Sequence, residues 1–125
     1  MKQRLQWLVL ILSSLLTTGV LAATHHPQEF LDSIRGKKNE GAKIVQHFCA
    51  NCHAVKPLIE LGAPKLQSET DWGPRVKQGL DRLLKHTVEG YGAMPARGGC
   101  FECTDEQLRL AIASMLPKSM QKDHK

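Results

Sequence analysis

Two cysteines and a histidine fall within five residues, at Cys49-Ala50-Asn51-Cys52-His53. This C-x-x-C-H spacing is typical of a c-type haem attachment site. Two thiols separated by two residues can add to the two vinyl groups of one porphyrin, and the imidazole that follows can bind the iron. The single motif predicts one covalently bound haem c, attached through Cys49 and Cys52, with His53 as the proximal iron ligand.

The same cysteines are open to two other interpretations. A C-x-x-C pair can form a redox-active disulfide, and it can supply half of a zinc site. The histidine directly after Cys52 argues against a plain redox pair. A zinc site of four protein ligands would need a second pair, Cys100 and Cys103, to join the first. An export signal and a later methionine both favour haem.

A second axial ligand is required if the iron is not to be open to small molecules. Met94 lies within Gly90-Tyr91-Gly92-Ala93-Met94-Pro95, where glycine and proline favour a loop that can hold a thioether against a flat porphyrin. We therefore expect Met94 to be the distal ligand. Because a thioether is a soft ligand that favours ferrous iron, the His53/Met94 pair predicts a raised reduction potential.

Other side chains could compete with Met94 for the iron. Met115 is expected in the core of the last helix, and Met120 is expected in the C-terminal tail. The rival ligands are His47, which precedes the motif on the attachment side, and His86, which falls on a predicted helix. Histidines in such positions are more often surface or core residues than ligands.

A second C-x-x-C is present at Cys100-Phe101-Glu102-Cys103. Thr104 follows it in place of histidine, so a second haem is not expected. In an oxidising compartment the default is a disulfide, which would close a four-residue loop and stiffen the segment that carries Met94. The alternative is a reactive dithiol, because the pair directly precedes a helix N-terminus that would stabilise a thiolate.

The first 22 residues have the pattern of a secretory signal peptide. Lys2 and Arg4 precede an apolar run over 7–16, and small residues follow at 20–23. Cleavage would place the mature protein in the periplasm, whereas an uncleaved signal would leave it associated with the membrane. The signal carries two basic and no acidic residues, so the formal net charge falls from +5 to +3 on its removal. Because two haem propionates would offset most of that charge, nucleic-acid binding is not expected.

The remaining chain is long enough for one domain. We expect an N-terminal extension over 23–38, a monohaem domain over 39–117 and a C-terminal tail over 118–125. Hydrophobic periodicity and stop signals predict a short helix within the extension and four further helices. Their ranges are 28–35, 39–48, 71–78, 80–89 and a last helix that begins with a capping box at 104–107 and ends by Pro117.

No run in the chain alternates like a strand, so the predicted fold class is all-α. The helices over 39–48 and 104–117 are expected to pack together. Gly41 lies on the apolar face of the first of them, where the absence of a side chain would let another backbone approach closely.

With these residues in place, the chain resembles the class I c-type cytochromes, and specifically the cytochrome c5 family, over about 39–117. The resemblance is carried by Gly41, the 49–53 motif, Ala63-Pro64-Lys65, Trp72, Ala93-Met94-Pro95 and Gly99-Cys100-x-x-Cys103. It implies four to five helices around one covalent haem, with Met94 opposite His53 and a Cys100–Cys103 disulfide. It also implies that a carbonyl near Pro64 accepts a hydrogen bond from the ring of His53.

The family usually has proline and lysine after its Met-Pro, where this chain has Ala96 and Arg97. The charge is kept, so the departure concerns only the stiffness of the loop.

The function expected on this basis is one-electron transfer in a respiratory chain, between a membrane reductase and a terminal oxidase or reductase. The protein is not expected to be an enzyme. Its partners would be redox proteins, docked through Lys56, Lys65 and Arg97 where the partner surface is acidic, with transient contact with membrane complexes. The alternatives are a membrane-anchored or oxidase-associated subunit, and a gas-binding haem protein if Met94 does not bind the iron.

Overall fold

The computed structural model of the chain describes residues 26–121, and the regular elements in that range are helices joined by loops. Its elements are α1 (Pro27–Ile34), α2 (Glu40–Ile44), a π-helical turn (Val45–Cys49), α3 (Ala50–His53), α4 (Glu69–Val76), α5 (Leu80–Glu89), a 3₁₀ turn (Ala96–Gly99) and α6 (Asp105–Met115). The described range has no strand beyond one isolated bridge between Tyr91 and Met94. The all-α prediction is confirmed. The predicted signal peptide over 1–22 and the last four residues lie outside the described range.

The centre of the fold is the crossing of α2 and α6. A Cβ atom added to Gly41 would collide with the carbonyl oxygen of Leu110 and the hydroxyl of Ser114 on α6. The predicted close approach at Gly41 is therefore confirmed, and its partner is the α6 backbone itself. A buried hydrogen bond from Gln107 Nε2 to Glu40 Oε1, of 2.9 Å, joins the same two helices near their N-terminal ends.

Helix α6 begins and faces the core as its sequence predicts. The Thr104 hydroxyl accepts from the Gln107 amide at 3.1 Å, and the Gln107 side chain accepts from the Thr104 amide at 3.0 Å. This reciprocal capping box satisfies two of the backbone donors that a helix start leaves unpaired. The predicted inner face is buried and consists of Leu108, Ala111, Ile112 and Met115.

The N-terminal extension is more structured than its polar composition indicates. Helix α1 lies inside the expected extension, and its Leu31 and Ile34 are fully buried in the same core as α2 and α6. The short helix expected over 28–35 is therefore present, shifted by one residue to Pro27–Ile34, and the expectation of a wholly peripheral extension does not hold for its buried side chains. A short helix with only two core-facing side chains is difficult to distinguish from a polar tail by periodicity.

Two predicted helix boundaries also differ. The helix expected over 39–48 continues through the π-helical turn and ends at His53, because a π turn shifts the residue period without a compositional signal. Helix α4 begins two residues earlier than expected, since Ser68 caps it by accepting from the Asp71 amide at 3.2 Å. Pro74 is consequently the sixth residue of α4 rather than part of its first turn.

None of the helices in the described part of the chain has the length and apolarity to cross a membrane.

Candidate haem site

A cavity of about 590 Å³ lies between α3, α4, α5, α6 and two loops. This volume falls within the ~300–1,000 Å³ typical of ligand pockets. The residues that line it belong to five segments, namely Phe48, Cys49, Cys52 and His53; Leu61, Gly62, Ala63 and Pro64; Trp72, Pro74, Arg75 and Gln78; Leu83, His86, Thr87, Tyr91, Gly92, Ala93, Met94, Pro95, Arg97 and Gly98; and Leu108, Ala111, Ile112 and Met115.

The two cysteines of the C-x-x-C-H motif both line this cavity, are partly buried and form no disulfide. Cys49 is the last residue of the π-helical turn, and its Sγ lies 4.0 Å from the carbonyl oxygen of Ile44. Such turns widen a helix locally and occur often at functional sites. Burial, and to a smaller degree the neighbouring Cys52, raises the pKa of the Cys49 thiol to about 11. The unattached side chain is thus a protonated thiol at neutral pH.

His53 is held in one orientation at the end of α3. The residue is only 7% exposed, and Nδ1 lies 2.8 Å from the carbonyl oxygen of Pro64. Because that carbonyl can only accept, Nδ1 carries the proton and Nε2 keeps the lone pair that a metal requires. The hydrogen bond expected from the resemblance is present in the structure. The Trp72 ring lies nearly parallel to the imidazole, with centroids 6.5 Å apart.

The segment that supplies the Pro64 carbonyl is itself fixed by α4. Trp72 Nε1 donates to the carbonyl oxygen of Lys65 at 2.9 Å, and Asp71 Oδ2 accepts from the Lys65 amide at 2.9 Å. The Leu66 amide donates to the carbonyl oxygen of His53 at 2.7 Å. The Lys65 amide is the main reason that the pKa of Asp71 lies below its usual value. We refer to residues 63–66 as the Pro64 strap.

Met94 reaches the cavity from a tight turn after α5. Tyr91 and Met94 exchange two backbone hydrogen bonds of 3.0 Å each, so Gly92 and Ala93 form the tip of the turn. Gly90 has φ +86°, and a Cβ there would come within 3.0 Å of the Met94 carbonyl oxygen and the Ala96 amide. The glycine therefore serves both the left-handed backbone and the close return of the chain.

The segment after Met94 is anchored to the start of α6. Cys100 and Cys103 are joined in a disulfide and are both buried. The Arg97 guanidinium donates to the carbonyl oxygen of Cys103 and, at 2.9 Å, to Asp105 Oδ1. Arg97 was expected to guide docking as a surface charge, but these bonds commit its side chain to the fold. Sequence reasoning missed this role, because nothing in the sequence marks Asp105 as its partner.

The structure distinguishes among the other candidate ligands. His47 is exposed and stacks on Phe30 with centroids 4.3 Å apart. Met120 packs partly buried against the core. Met115 is buried in α6 and lines the cavity, and His86 lines it from α5. The cavity thus brings together His53, Met94, Met115 and His86.

The donor set suits a haem. The cavity combines two cysteines, two imidazoles and two thioethers with largely apolar walls. Arg75 and Arg97 are on its lining, and no aspartate or glutamate is among the lining residues within 26–121. Such a lining matches an apolar ring that carries two carboxylates. The zinc alternative lacks its second pair of ligands, since Cys100 and Cys103 are bonded to each other.

A helical fold of this size with such a site defines a small c-type cytochrome. Residues 36–114 match a family model described as cytochrome c oxidase, cbb3-type, subunit III. Cytochrome c5 of Azotobacter vinelandii is 37% identical over 82 residues, which cover 64% of this chain and 95% of that protein. Cytochrome c-555 of Chlorobaculum tepidum is 39% identical over 75 residues, covering 57% and 67% of the two chains.

A solved structure is also similar. Its TM-score is 0.55 and its sequence identity is 35%, and the match covers 69% of this chain and 95% of that chain. It is described as the crystal structure of an electron transfer complex of nitrite reductase with cytochrome c. The chain belongs to the class I monohaem cytochromes c, in the cytochrome c5-like family. The prediction of one covalent haem c is confirmed, and the protein acts in electron transfer.

Proposed function

We propose that this protein is a periplasmic one-electron carrier of a respiratory chain in which His53 and Met94 are the axial iron ligands. The carrier would pass electrons from a membrane reductase to a terminal oxidase or reductase. The observation that supports the ligand pair is that both side chains line one cavity, from separate segments of the chain. Haem c, when bound, supplies an iron that alternates between the ferric and ferrous states.

The chain's own residues support transfer rather than substrate chemistry. The Pro64 carbonyl fixes the tautomer and direction of His53. The apolar residues of α6 limit the access of water to the cavity, and a thioether from Met94 raises the reduction potential. With both axial positions occupied by protein side chains, no position is left for a substrate, which favours a carrier over an enzyme.

Substitution of Met94 tests the ligand assignment. Met94→Ala is expected to abolish the methionine–iron absorption band of the oxidised protein, to lower the reduction potential and to allow carbon monoxide to bind the reduced protein. Met115→Leu is the matched control, because it removes the second thioether of the cavity while keeping a similar volume.

Two results would contradict the assignment. An unchanged spectrum in Met94→Ala would show that Met94 is not a ligand. Loss of the band in Met115→Leu alone would show that Met115, on α6, is the distal ligand. If wild-type protein already binds carbon monoxide, the gas-binding alternative replaces the carrier.

The partners are proposed to be redox proteins that dock near the haem edge. Lys56 is exposed and Lys65 is partly exposed on the segment that follows the haem motif, so an acidic partner surface would complement them. The similar solved structure is described as a complex of a cytochrome c with nitrite reductase, which supports a protein partner of some kind.

The segment that carries Lys56 also has exposed apolar residues. Leu58 is 85% exposed, and Val55, Ile59 and Leu61 are exposed as well. If docking is electrostatic, transfer rates should fall as salt is added. A rate independent of ionic strength would contradict electrostatic docking and indicate contact through the apolar residues.

The second candidate is a membrane-held subunit of an oxidase complex. It is favoured by the family model that matches residues 36–114, whose description is a subunit of a cbb3-type oxidase. Cleavage of the predicted signal over 1–22 separates the two functions. A mature N-terminus near residue 23 in the periplasmic fraction supports the carrier, whereas an intact N-terminus in the membrane fraction supports the subunit.

A further inference from the structure

The turn that carries Met94 is exposed at its tip. Tyr91, Gly92 and Ala93 are all exposed, and the Tyr91 side chain is 67% exposed. Despite this exposure, the Tyr91 ring lies flat on the His86 imidazole, with centroids 4.4 Å apart and an interplanar angle of 18°. We refer to this contact as the His86–Tyr91 stack. It connects the outer part of the turn to α5.

The stack is coupled to Met94 through the backbone. Tyr91 and Met94 donate to each other's carbonyl oxygens at 3.0 Å. A displacement of Tyr91 therefore breaks two hydrogen bonds whose other ends lie on the Met94 backbone. On the far side of Met94, Arg97 and the disulfide attach the chain to α6. On the N-terminal side of Met94, the turn is held by the Gly90 backbone and by the His86–Tyr91 stack.

We propose that the His86–Tyr91 stack positions Met94 as the distal ligand by holding the near side of its turn against α5. His86 and Tyr91 are positioning residues in this account, and the proposal rests on the proposed ligation by Met94. His86 also lines the cavity and was a rival ligand by sequence. In the stack, the His86 ring acts through its aromatic face, whereas an iron ligand would act through a ring nitrogen.

The expected consequence is a change in how often Met94 leaves the iron. An added ligand such as imidazole binds only when the distal position is open, so its apparent affinity reports the open fraction. Loss of one aromatic pair is expected to increase that fraction, and hence imidazole affinity, ~2- to 10-fold. The methionine–iron band remains in most molecules, because the rest of the turn is unchanged.

The test is imidazole titration of the oxidised holoprotein in three variants. His86→Ala removes the stack, and His86→Phe keeps an aromatic ring without a ring nitrogen. His47→Ala is the matched control, since His47 stacks on Phe30 with a similar geometry, at 4.3 Å and 22°, outside the cavity lining. We expect tighter imidazole binding in His86→Ala, recovery in His86→Phe and no change in His47→Ala.

A double-mutant cycle with Tyr91→Ala completes the design. If the two rings act together, the double variant binds imidazole no more tightly than His86→Ala alone. Wild-type affinity in His86→Ala would overturn the proposal, as would an equal increase in His47→Ala.

Failure of the proposed positioning role of the stack can be distinguished from failure of the proposed ligation by Met94. If Met94 is not a ligand, Met94→Ala leaves the methionine–iron band and the imidazole affinity unchanged. If His86 is itself the ligand, both His86→Ala and His86→Phe give an open iron, and the phenylalanine does not rescue.

Discussion

The two sides of the haem cavity are built in different ways. On the attachment side, His53 is almost fully buried, ends a helix, and is oriented by a strap that α4 fixes through two further hydrogen bonds. On the other side, Met94 lies in a loop whose tip and following proline are exposed. Loops with few buried contacts open at lower free energy than helix ends packed in a core. The proposed distal ligand should therefore be the first to be lost.

The difference suits a protein that exchanges electrons. The C-x-x-C-H motif binds the haem covalently, and the buried His53 is the proximal ligand in the proposed function. In the proposed function Met94 raises the reduction potential, and the turn that carries it is exposed at its tip. Its retention depends on small local devices, namely the Gly90 turn, the disulfide, Arg97 and the His86–Tyr91 stack.

The largest loss of stability is expected at the α2–α6 crossing, because both sides of the cavity pack on it. Gly41→Ala places a Cβ against the Leu110 carbonyl and the Ser114 hydroxyl, so it should lower the free energy of unfolding by about 3 kcal/mol. Denaturant unfolding measures the change. Gly73→Ala is the matched control, because a Cβ there meets only the Met120 side chain at 3.8 Å.

In Gly41→Ala the Met94 side should no longer be lost before the His53 side. During denaturant unfolding of this variant, the methionine–iron band and the helicity of the protein should disappear together. If Gly41→Ala is as stable as Gly73→Ala, the close packing of α2 on α6 is not the foundation of the site.

A smaller effect, confined to the Met94 side, is expected from the disulfide. Replacing both Cys100 and Cys103 by serine opens a four-residue loop, which the chain-entropy account values at about 2 kcal/mol at most. Because the loop adjoins the Met94 segment, imidazole affinity should rise and the methionine–iron band should disappear before global unfolding. Titration with imidazole and with denaturant, followed in parallel, separates the two events.

The attachment side supplies the control for the disulfide variant. Trp72→Phe removes the hydrogen bond to the Lys65 carbonyl, which costs stability of about 1 kcal/mol, but it should leave imidazole affinity unchanged. Equal imidazole affinity in the two variants would show that the sides are not mechanically separate.

The smallest expected effect is a loss of stability at low pH that arises at the Pro64 strap. The folded pKa of Asp71 lies below its usual 3.8, first because of the Lys65 amide. A lowered carboxyl pKa contributes stability that is present above the unfolded pKa and is lost as pH falls through the folded value. Unfolding free energies should therefore decline below about pH 4, less steeply in Asp71→Asn.

Asp32 provides a comparison for that acid effect. Its pKa is also lowered, mainly by Arg35, but it lies on α1 away from the strap. Asp32→Asn should alter the acid stability without altering the haem spectrum, whereas Asp71→Asn should alter both. A spectral change in Asp32→Asn, or none in Asp71→Asn, would contradict a specific role for the strap.

The sequence predicted much of this fold because several signals are local. The capping box at Thr104 and the stripe of α6 depend on residues three or four apart, and Leu80–Glu89 was predicted with the boundaries that the structure has. Other features depend on contacts between distant segments. The burial of α1, the π turn before Cys49 and the Arg97–Asp105 pair required the three-dimensional arrangement.

Within the site, sequence spacing singled out side chains that line one cavity, but it missed most of the contacts that hold them in place. The C-x-x-C-H motif and Met94 were named from chemistry alone, and Pro64 and Trp72 from a family resemblance. The Asp71–Lys65 contact and the His86–Tyr91 stack carry no recognisable motif. A histidine five residues before a tyrosine, across a helix end, is as typical of an ordinary surface as of a supported ligand.

The proposed function requires that His53 and Met94 occupy both axial positions of one low-spin haem. It is tested most directly by absorption spectra of the mature holoprotein, oxidised and reduced, with and without carbon monoxide. We expect a low-spin c-type spectrum with a methionine–iron band in the oxidised state and no response to carbon monoxide. A high-spin spectrum that shifts when carbon monoxide is added would contradict it.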